Sequence, residues 1–111
     1  MFTKHSPEGY IEKLPGVRLK TLVFGEKTLL TNLIIFKGAT IPSHNHMHEQ
    51  TGFLQSGCLE FLIDGNKIIA NPGDSWIIPG NVSHGATAIE DSNVIEVFSP
   101  VREDYLPVQR K

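Results

Sequence analysis

A chain of 111 residues has the length of one globular domain, and its 40% hydrophobic and 20% charged residues are ordinary proportions for a folded protein. A formal net charge of −2 excludes a broad electrostatic attraction to nucleic acid or to an anionic membrane. The amino terminus lacks the apolar core of a secretory signal, and no stretch approaches the roughly 18 apolar residues of a membrane span. We therefore expect a single domain, residues 1–111, in the cytoplasm.

The first predicted elements form a hairpin. Val17–Phe24 alternates between apolar and polar residues, as a half-buried strand does, whereas residues 28–36 are more continuously apolar and predict a buried strand. Gly25-Glu26-Lys27 between them predicts a short turn. Residues 38–43, which include Pro42, are expected to form a loop.

Turn residues divide the rest of the chain into six more short strands. These are residues 51–55, 58–63, 66–70, 75–78, 83–89 and 94–98. Asp64-Gly65 is the clearest turn, because Asp-Gly favours a two-residue hairpin loop. Ser56-Gly57 and residues 90–93 are also interpreted as turns. Cys58 is the only cysteine, which excludes an intrachain disulfide, and we expect a buried, unreactive thiol.

About eight short strands at this spacing predict an all-β domain. A closed barrel or a two-sheet jelly roll would both protect the sheet edges, so both architectures fit the pattern. The terminal segments, residues 1–14 and 101–111, are expected to be arms that pack on the barrel or on a neighbouring subunit.

Histidines cluster before the third predicted strand. His44, His46 and His48 lie within five residues of a chain that has five histidines in all. Side chains two apart on a strand share a face, so His44 and His46 can converge on one point, and Gln50 has the same parity. His84, which follows a later turn, is a candidate fourth ligand. Imidazole is the commonest metal ligand near neutral pH, although a lone histidine on a strand is usually an ordinary surface or core residue.

The two segments that carry these residues resemble the two motifs of the cupin family. Residues 38–57 keep the spacing of the first motif, with a glycine at each end, the His-x-His pair and Gln50 where the family has glutamate. Residues 73–88 keep the spacing of the second motif, with Asn81 and Ala88 in place of a glycine and an asparagine. The resemblance implies a cupin jelly-roll β-barrel that holds one divalent transition metal ion, for which zinc, nickel, manganese, iron and copper are all suitable.

The departures from the motifs have different consequences. Asn81 is a mild change, since asparagine adopts left-handed backbone more readily than most residues. Gln50 removes a negative charge, and an ion held by neutral ligands favours Lewis-acid chemistry or an anionic substrate. Alternatively, Gln50 only hydrogen-bonds nearby backbone and leaves three histidine ligands. His48 and Glu49 stay open: His48 could replace a ligand, orient the site or lie on the surface.

The sequences HNHMHEQ, NVSHGA and VIEVFSPVREDYL resemble more narrowly the pectin-degradation cupins of the KdgF type. This resemblance implies the metal ligands His44, His46, Gln50 and His84 and the catalytic residues Glu96, Phe98 and Arg102. It also implies a homodimer that acts on a small anionic sugar. The reaction would convert cyclic 4,5-unsaturated uronate monosaccharides, from pectin or alginate, to their linear keto form.

The residues after the second motif are compatible with that chemistry. Glu96 and Phe98 share one face of the last predicted strand, and an inward acid beside a metal can donate and accept a proton. Arg102 can bind a carboxylate through two parallel hydrogen bonds. In the alternative interpretation Glu96 faces solvent, and Arg102 pairs with Glu103 or Asp104 on the surface.

Two other functions fit the same sequence. A metal-dependent cupin dioxygenase would need a redox-active metal and an open position for oxygen, so dependence on oxygen separates it from the sugar-converting enzyme. A non-catalytic cupin that binds a small molecule is the third possibility. The absence of an attached DNA-binding segment argues against a regulator.

Overall fold

Eight β-strands and one short 3-10 helix make up residues 1–106, the part of the chain that the computed structural model describes. The strands are β1 (Ile11–Leu14), β2 (Val17–Phe24), β3 (Leu29–Ile35), β4 (Thr40–His44), β5 (Glu49–Ile63), β6 (Asn66–Ala70), β7 (Ser75–Ile78) and β8 (His84–Ser99), and the helix is Glu103–Tyr105. Every strand pair is antiparallel, which confirms the all-β prediction. No helix in residues 1–106 is long and apolar enough to cross a membrane.

Two long strands, β5 and β8, pair with each other and belong to both sheets of a jelly roll. The first half of β5 and the second half of β8 lie in one sheet with β7, β3, β2 and β1. Their other halves lie in a second sheet with β4 and β6. Apolar side chains from the facing surfaces fill the space between the sheets, among them Leu19, Leu33, Leu54, Leu59, Phe61 and Val94.

Two predicted turns are instead bends within continuous strands. Ser56-Gly57 lies inside β5, and residues 90–93 lie opposite it inside β8, where the register of the pair shifts. Gly57 has φ of 99°, and a Cβ there would lie 2.3 Å from the carbonyl oxygen of Asp91. The turn prediction was wrong because the residues that favour turns also form the bulges at which paired strands bend together.

Two strands were not predicted. Thr40–His44 forms β4 inside the segment expected to be a loop, and its Pro42 is tolerated because, among residues 1–106, β4 pairs with β8 alone. Ile11–Leu14, within the segment expected to be an arm packed on the barrel or on a neighbouring subunit, forms the edge strand β1 and pairs with β2. The predicted number of strands was therefore right, although the strand boundaries differ. Cys58 is only partly buried, because it lies at the bend, and this corrects the expectation of a buried thiol. Residues 107–111 of the expected carboxy-terminal arm lie outside the described residues.

Candidate metal centre

Three histidines converge at one end of the jelly roll. His44 ends β4 and His84 begins β8, and the two are direct partners across the strand pair. His46 follows in the connection to β5. One ring nitrogen from each side chain can be chosen so that the three atoms lie within 4.8 Å of one another. The cluster predicted from His-x-His and the distant His84 is thus brought together by β4–β8 pairing.

Hydrogen bonds fix the tautomer of each of these rings. A main-chain carbonyl can only accept, so a ring nitrogen bonded to one carries the proton and the other nitrogen keeps its lone pair. Each Nδ1 lies near the carbonyl oxygen of a residue two positions away: His44 to Pro42 at 2.8 Å, His46 to His48 at 3.0 Å and His84 to Val82 at 2.8 Å. All three Nε2 atoms are therefore free to bind a cation.

The surroundings favour the neutral, metal-binding form of two rings. Burial lowers the pKa of His46, and the positive charge of Arg102 lowers it further. Burial likewise lowers the pKa of His84, partly opposed by its bond to the Val82 carbonyl. A histidine must be neutral to coordinate a metal, so this environment reduces competition from protons.

The loop that carries His46 is held by the turn before His84. Asn81 adopts φ of 66°, as expected for an asparagine that replaces glycine. Its backbone N–H donates to the carbonyl oxygen of His46 at 2.7 Å. Gly80 lets the two segments approach closely, since a Cβ there would lie 2.4 Å from the Met47 carbonyl oxygen. The second motif therefore positions a candidate ligand from the first.

Gln50 lies on the inner face of β5 with 5% of its surface exposed. Its Nε2 donates to Oε2 of Glu96 at 2.7 Å. Its Oε1 lies 2.9 Å from Nε2 of His46. Because His46 carries its proton on Nδ1, two lone pairs face each other across this short distance. Both contacts of the Gln50 amide are with side chains, so the alternative in which Gln50 only hydrogen-bonds nearby backbone is wrong.

A divalent transition metal ion fits this arrangement of donors. Metal bonds to imidazole nitrogen and to oxygen are roughly 2.0–2.2 Å long, so ligands at right angles lie about 3 Å apart. The separation of 2.9 Å between His46 Nε2 and Gln50 Oε1 matches that spacing. A cation between them would turn the contact of two lone pairs into two coordinate bonds. Imidazole and amide donors suit zinc, nickel, iron, manganese or copper.

Glu96 is buried beside the histidines, with 7% of its surface exposed, so the interpretation of Glu96 as solvent-facing is wrong. Burial raises the pKa of Glu96 to about 7, although the charge of Arg102 and the Gln50 amide oppose the rise. Phe98 follows on the same inner face, 2% exposed, with its ring 6.0 Å from that of His46. The period-two pattern of β8 correctly placed both side chains inside.

Arg102 pairs with Asp104 and also faces the site. Its Nε and Nη2 donate to the two carboxylate oxygens of Asp104 at 3.2 and 2.8 Å. Partial burial disfavours the charge of Asp104, but the hydrogen bond and charge of Arg102 lower its pKa. The guanidinium stacks 3.9 Å from the ring centre of Tyr105 and 5.1 Å from that of Phe98. The Arg102 side chain is only 13% exposed and lies against the mouth of the barrel, whereas the Asp104 side chain is 57% exposed. The local pairing with Asp104 considered as an alternative is therefore present, and it does not turn Arg102 away from the site.

A cavity of about 90 Å³ connects these groups, and its walls include Gln50, Trp76, His84, Glu96, Phe98 and Arg102. It is smaller than the roughly 300–1,000 Å³ of pockets for drug-sized ligands, so it suits the reacting end of a small molecule. Sequence reasoning missed Trp76 and Tyr105, which also line the cavity. Trp76 shares its strand face with buried Ile78, and that parity was the available signal.

His48 and Glu49 lie outside the histidine cluster. The carbonyl oxygen of His48 accepts the hydrogen bond from His46, so the main chain of His48 orients a candidate ligand. Its ring is half-buried and lies 5.5 Å from the ring of His46. Glu49 is exposed at the start of β5.

Comparison with known proteins agrees with this geometry. A family model described as a cupin domain matches residues 33–99. The chain belongs to the cupin family. This cupin is 31% identical over 93 residues to the pectin degradation protein KdgF of Dickeya dadantii (strain 3937), which covers 82% of the chain and 84% of the relative.

Two solved cupin structures are similar over nearly the whole molecule. KdgF from Halomonas sp. has a TM-score of 0.90 and 31% identity, covering 96% of this chain and 98% of that one. An RmlC-like cupin from Shewanella frigidimarina NCIMB 400 has a TM-score of 0.89 and 28% identity, with 95% of each chain covered. The cupin jelly roll predicted from the two motifs is confirmed.

Proposed function

We propose that this cupin is a metal-dependent enzyme that converts cyclic 4,5-unsaturated uronate monosaccharides to their linear keto form. The observation that carries the proposal is the buried carboxyl group of Glu96, which bonds to Gln50 at 2.7 Å within the cavity that His44 and His84 also line. Similarity to two KdgF proteins, one of them named for pectin degradation, supports this substrate class. Cytoplasmic location and a homodimer belong to the same proposal.

The proposed metal ligands are Nε2 of His44, His46 and His84 together with Oε1 of Gln50. When bound, the ion supplies a Lewis acid that polarises an oxygen of the sugar. Since all four ligands are neutral, the ion's two positive charges also attract an anionic substrate. We propose one divalent transition metal ion in the site.

The conversion is redox-neutral: one C–O bond breaks and protons move between oxygen and carbon. The bond between C1 and the ring oxygen breaks as the O1 hydroxyl loses its proton, and the ring oxygen becomes the oxygen of an enol. C1 becomes an aldehyde, and addition of a proton to C4 with loss of the enol proton then gives the ketone at C5. Glu96, with a pKa of about 7, can both accept and donate protons near neutrality.

Arg102 and Phe98 have binding roles in this proposal. Asp104 occupies two donors of the Arg102 guanidinium, which has five, so the others can bind the substrate carboxylate. Phe98 forms an apolar wall beside the histidines, which excludes water from the reacting end of the sugar.

The test follows the ultraviolet absorbance of the double bond of a 4,5-unsaturated galacturonate. We expect rapid loss of absorbance that depends on metal and consumes no oxygen. The Glu96→Gln variant should be slowed by roughly 100-fold or more, because it removes the proton carrier. Glu90→Gln is the matched control, since Glu90 is an exposed glutamate on the same strand.

Each alternative outcome has a defined meaning. A rate no higher than the spontaneous one would exclude the sugar-opening reaction. Oxygen uptake with product formation would indicate the dioxygenase instead. Binding of the sugar without conversion would indicate a binding protein.

A further inference from the structure

The indole N–H of Trp76 is a buried donor in the wall of the cavity. Its nitrogen has no hydrogen-bond acceptor in good geometry within residues 1–106. A buried donor without an acceptor costs free energy, because water no longer solvates it. Trp76 is also the only tryptophan in the chain. Its N–H is therefore a buried donor that is available to an acceptor in the cavity.

Strand register places this indole in one row with Glu96. Gly52 of β5 is the direct partner of Trp76 on β7 and of Glu96 on β8. Gly52 faces the interior, as do Gln50 and Leu54 on the same strand. Partners in antiparallel strands lie about 4.5–5.5 Å apart, so Gly52 is all that separates the tryptophan from the acid.

Because glycine has no side chain, Gly52 leaves room in this row for the indole of Trp76. A Cβ on Gly52 would lie 2.3 Å from the Nε1 atom of Trp76, so the nitrogen sits directly over the glycine. Phe61 supports the indole from the other sheet, with ring centres 4.6 Å apart. The N–H is close enough to Glu96 to favour its charged form, although it stops short of a well-formed hydrogen bond.

We infer that Trp76 is a positioning residue: its indole N–H donates to Oε1 of Glu96, the carboxylate oxygen that Gln50 leaves free, and Gly52 provides the space for this contact. The inference rests on the proposed function for the role of Glu96. Gln50 already holds Oε2 at 2.7 Å. A second donor would fix the rotation of the carboxylate and aim it at the substrate.

The kinetic test separates positioning from binding. Trp76→Phe keeps an aromatic ring and removes the N–H, so kcat should fall about tenfold, as for the loss of a hydrogen bond to a charged group, while KM changes little. Gly52→Ala should lower kcat at least as much, because it displaces the indole. Tyr10→Phe is the control, since it removes a hydrogen-bonding donor from a side chain that does not line the cavity.

A second measurement does not depend on activity. The metal-loaded protein has one indole N–H resonance, because it has one tryptophan. In Glu96→Ala this proton should move upfield and exchange faster with solvent, whereas Glu90→Ala should leave it unchanged.

An unchanged kcat in Trp76→Phe, or an indole resonance that does not respond to Glu96→Ala, would overturn the inference. If the wild-type protein has no activity on uronates, the proposed function fails, and the indole resonance still decides whether Trp76 contacts Glu96.

Discussion

The amide group of Gln50 contacts both a candidate metal ligand, His46, and the buried acid Glu96. Its oxygen faces the lone pair of His46 at 2.9 Å, and its nitrogen donates to Glu96 at 2.7 Å. The bond to Glu96 holds the amide so that its oxygen, and not its nitrogen, points to the histidines. A glutamate at this position would face Glu96 with a second acidic group.

Gln50→Glu should therefore change the dependence of stability on metal. Without metal we expect Tm to fall by several degrees, because two buried carboxyl groups must share a proton or repel each other. With excess Zn²⁺ the rise in Tm should exceed that of the wild type, since the added negative charge compensates the ion. The measurement is thermal unfolding with and without metal.

Gln55→Glu is the control for this substitution, because Gln55 is exposed on the same strand. It should leave both the Tm and its metal-induced rise close to wild type. If Zn²⁺ raised the Tm of Gln50→Glu no more than it raises the Tm of the wild type, the result would argue against Gln50 as a ligand.

Single-residue reasoning from the sequence was strongest where spacing decided the outcome. Motif spacing grouped His44, His46 and His84, and strand parity put Glu96 and Phe98 inside. The sequence allowed the pairing of Arg102 with Asp104, but it did not indicate that Arg102 stacks on Tyr105 and Phe98 at the barrel mouth, or that Trp76 lies in the cavity wall. These depend on which strands become neighbours, which no local pattern encodes.

The long β5–β8 pair organises the molecule at the scale of its elements. The two strands bend together where Gly57 meets Asp91, and this bend transfers both of them from one sheet to the other. The residues of the bend stand out in the sequence, but their local pattern is typical of turns. A glycine that ends a hairpin and a glycine that bends a continuing strand have the same local signature, and only long-range pairing distinguishes them.

Gly57→Ala should be strongly destabilising because two costs combine. Its φ of 99° is unfavourable for alanine, and the new Cβ would lie 2.3 Å from the Asp91 carbonyl oxygen. We expect the free energy of unfolding to fall by about 2–4 kcal/mol, measured by urea denaturation.

Gly65→Ala separates the two costs. Gly65 also has a positive φ, 81°, but nothing lies within 4 Å of a Cβ there. Its loss should be about 1 kcal/mol, the backbone cost alone. Equal losses of unfolding free energy in the two variants would show that the close approach at the bend contributes nothing to the effect of Gly57→Ala.

The carboxy-terminal segment joins distant parts of the whole molecule at the mouth of the barrel. The Thr21 hydroxyl donates to the carbonyl oxygen of Tyr105, and Lys13 Nζ donates to that of Asp104 at 3.4 Å. The Tyr105 ring also packs edge-on against Phe98, with centres 5.4 Å apart. The sequence indicated only an arm here, since a single aromatic residue after the last strand has no periodicity to show where it packs.

Ionisation of Tyr105 should weaken this packing at high pH. Burial raises the pKa of Tyr105 to about 12, from 10.0 in water. Since the folded state has the higher pKa, the contribution to stability is complete below pH 10 and is lost as the pH rises through 10 towards 12. At pH 11 the loss of unfolding free energy would be about 1 kcal/mol.

Urea denaturation at pH 9 and pH 11 should show a larger fall in the free energy of unfolding for the wild type than for Tyr105→Phe, which lacks the titrating group. Equal falls would show that the Tyr105 hydroxyl ionises as easily in the folded chain as in the unfolded one, and that the segment does not shield it from water.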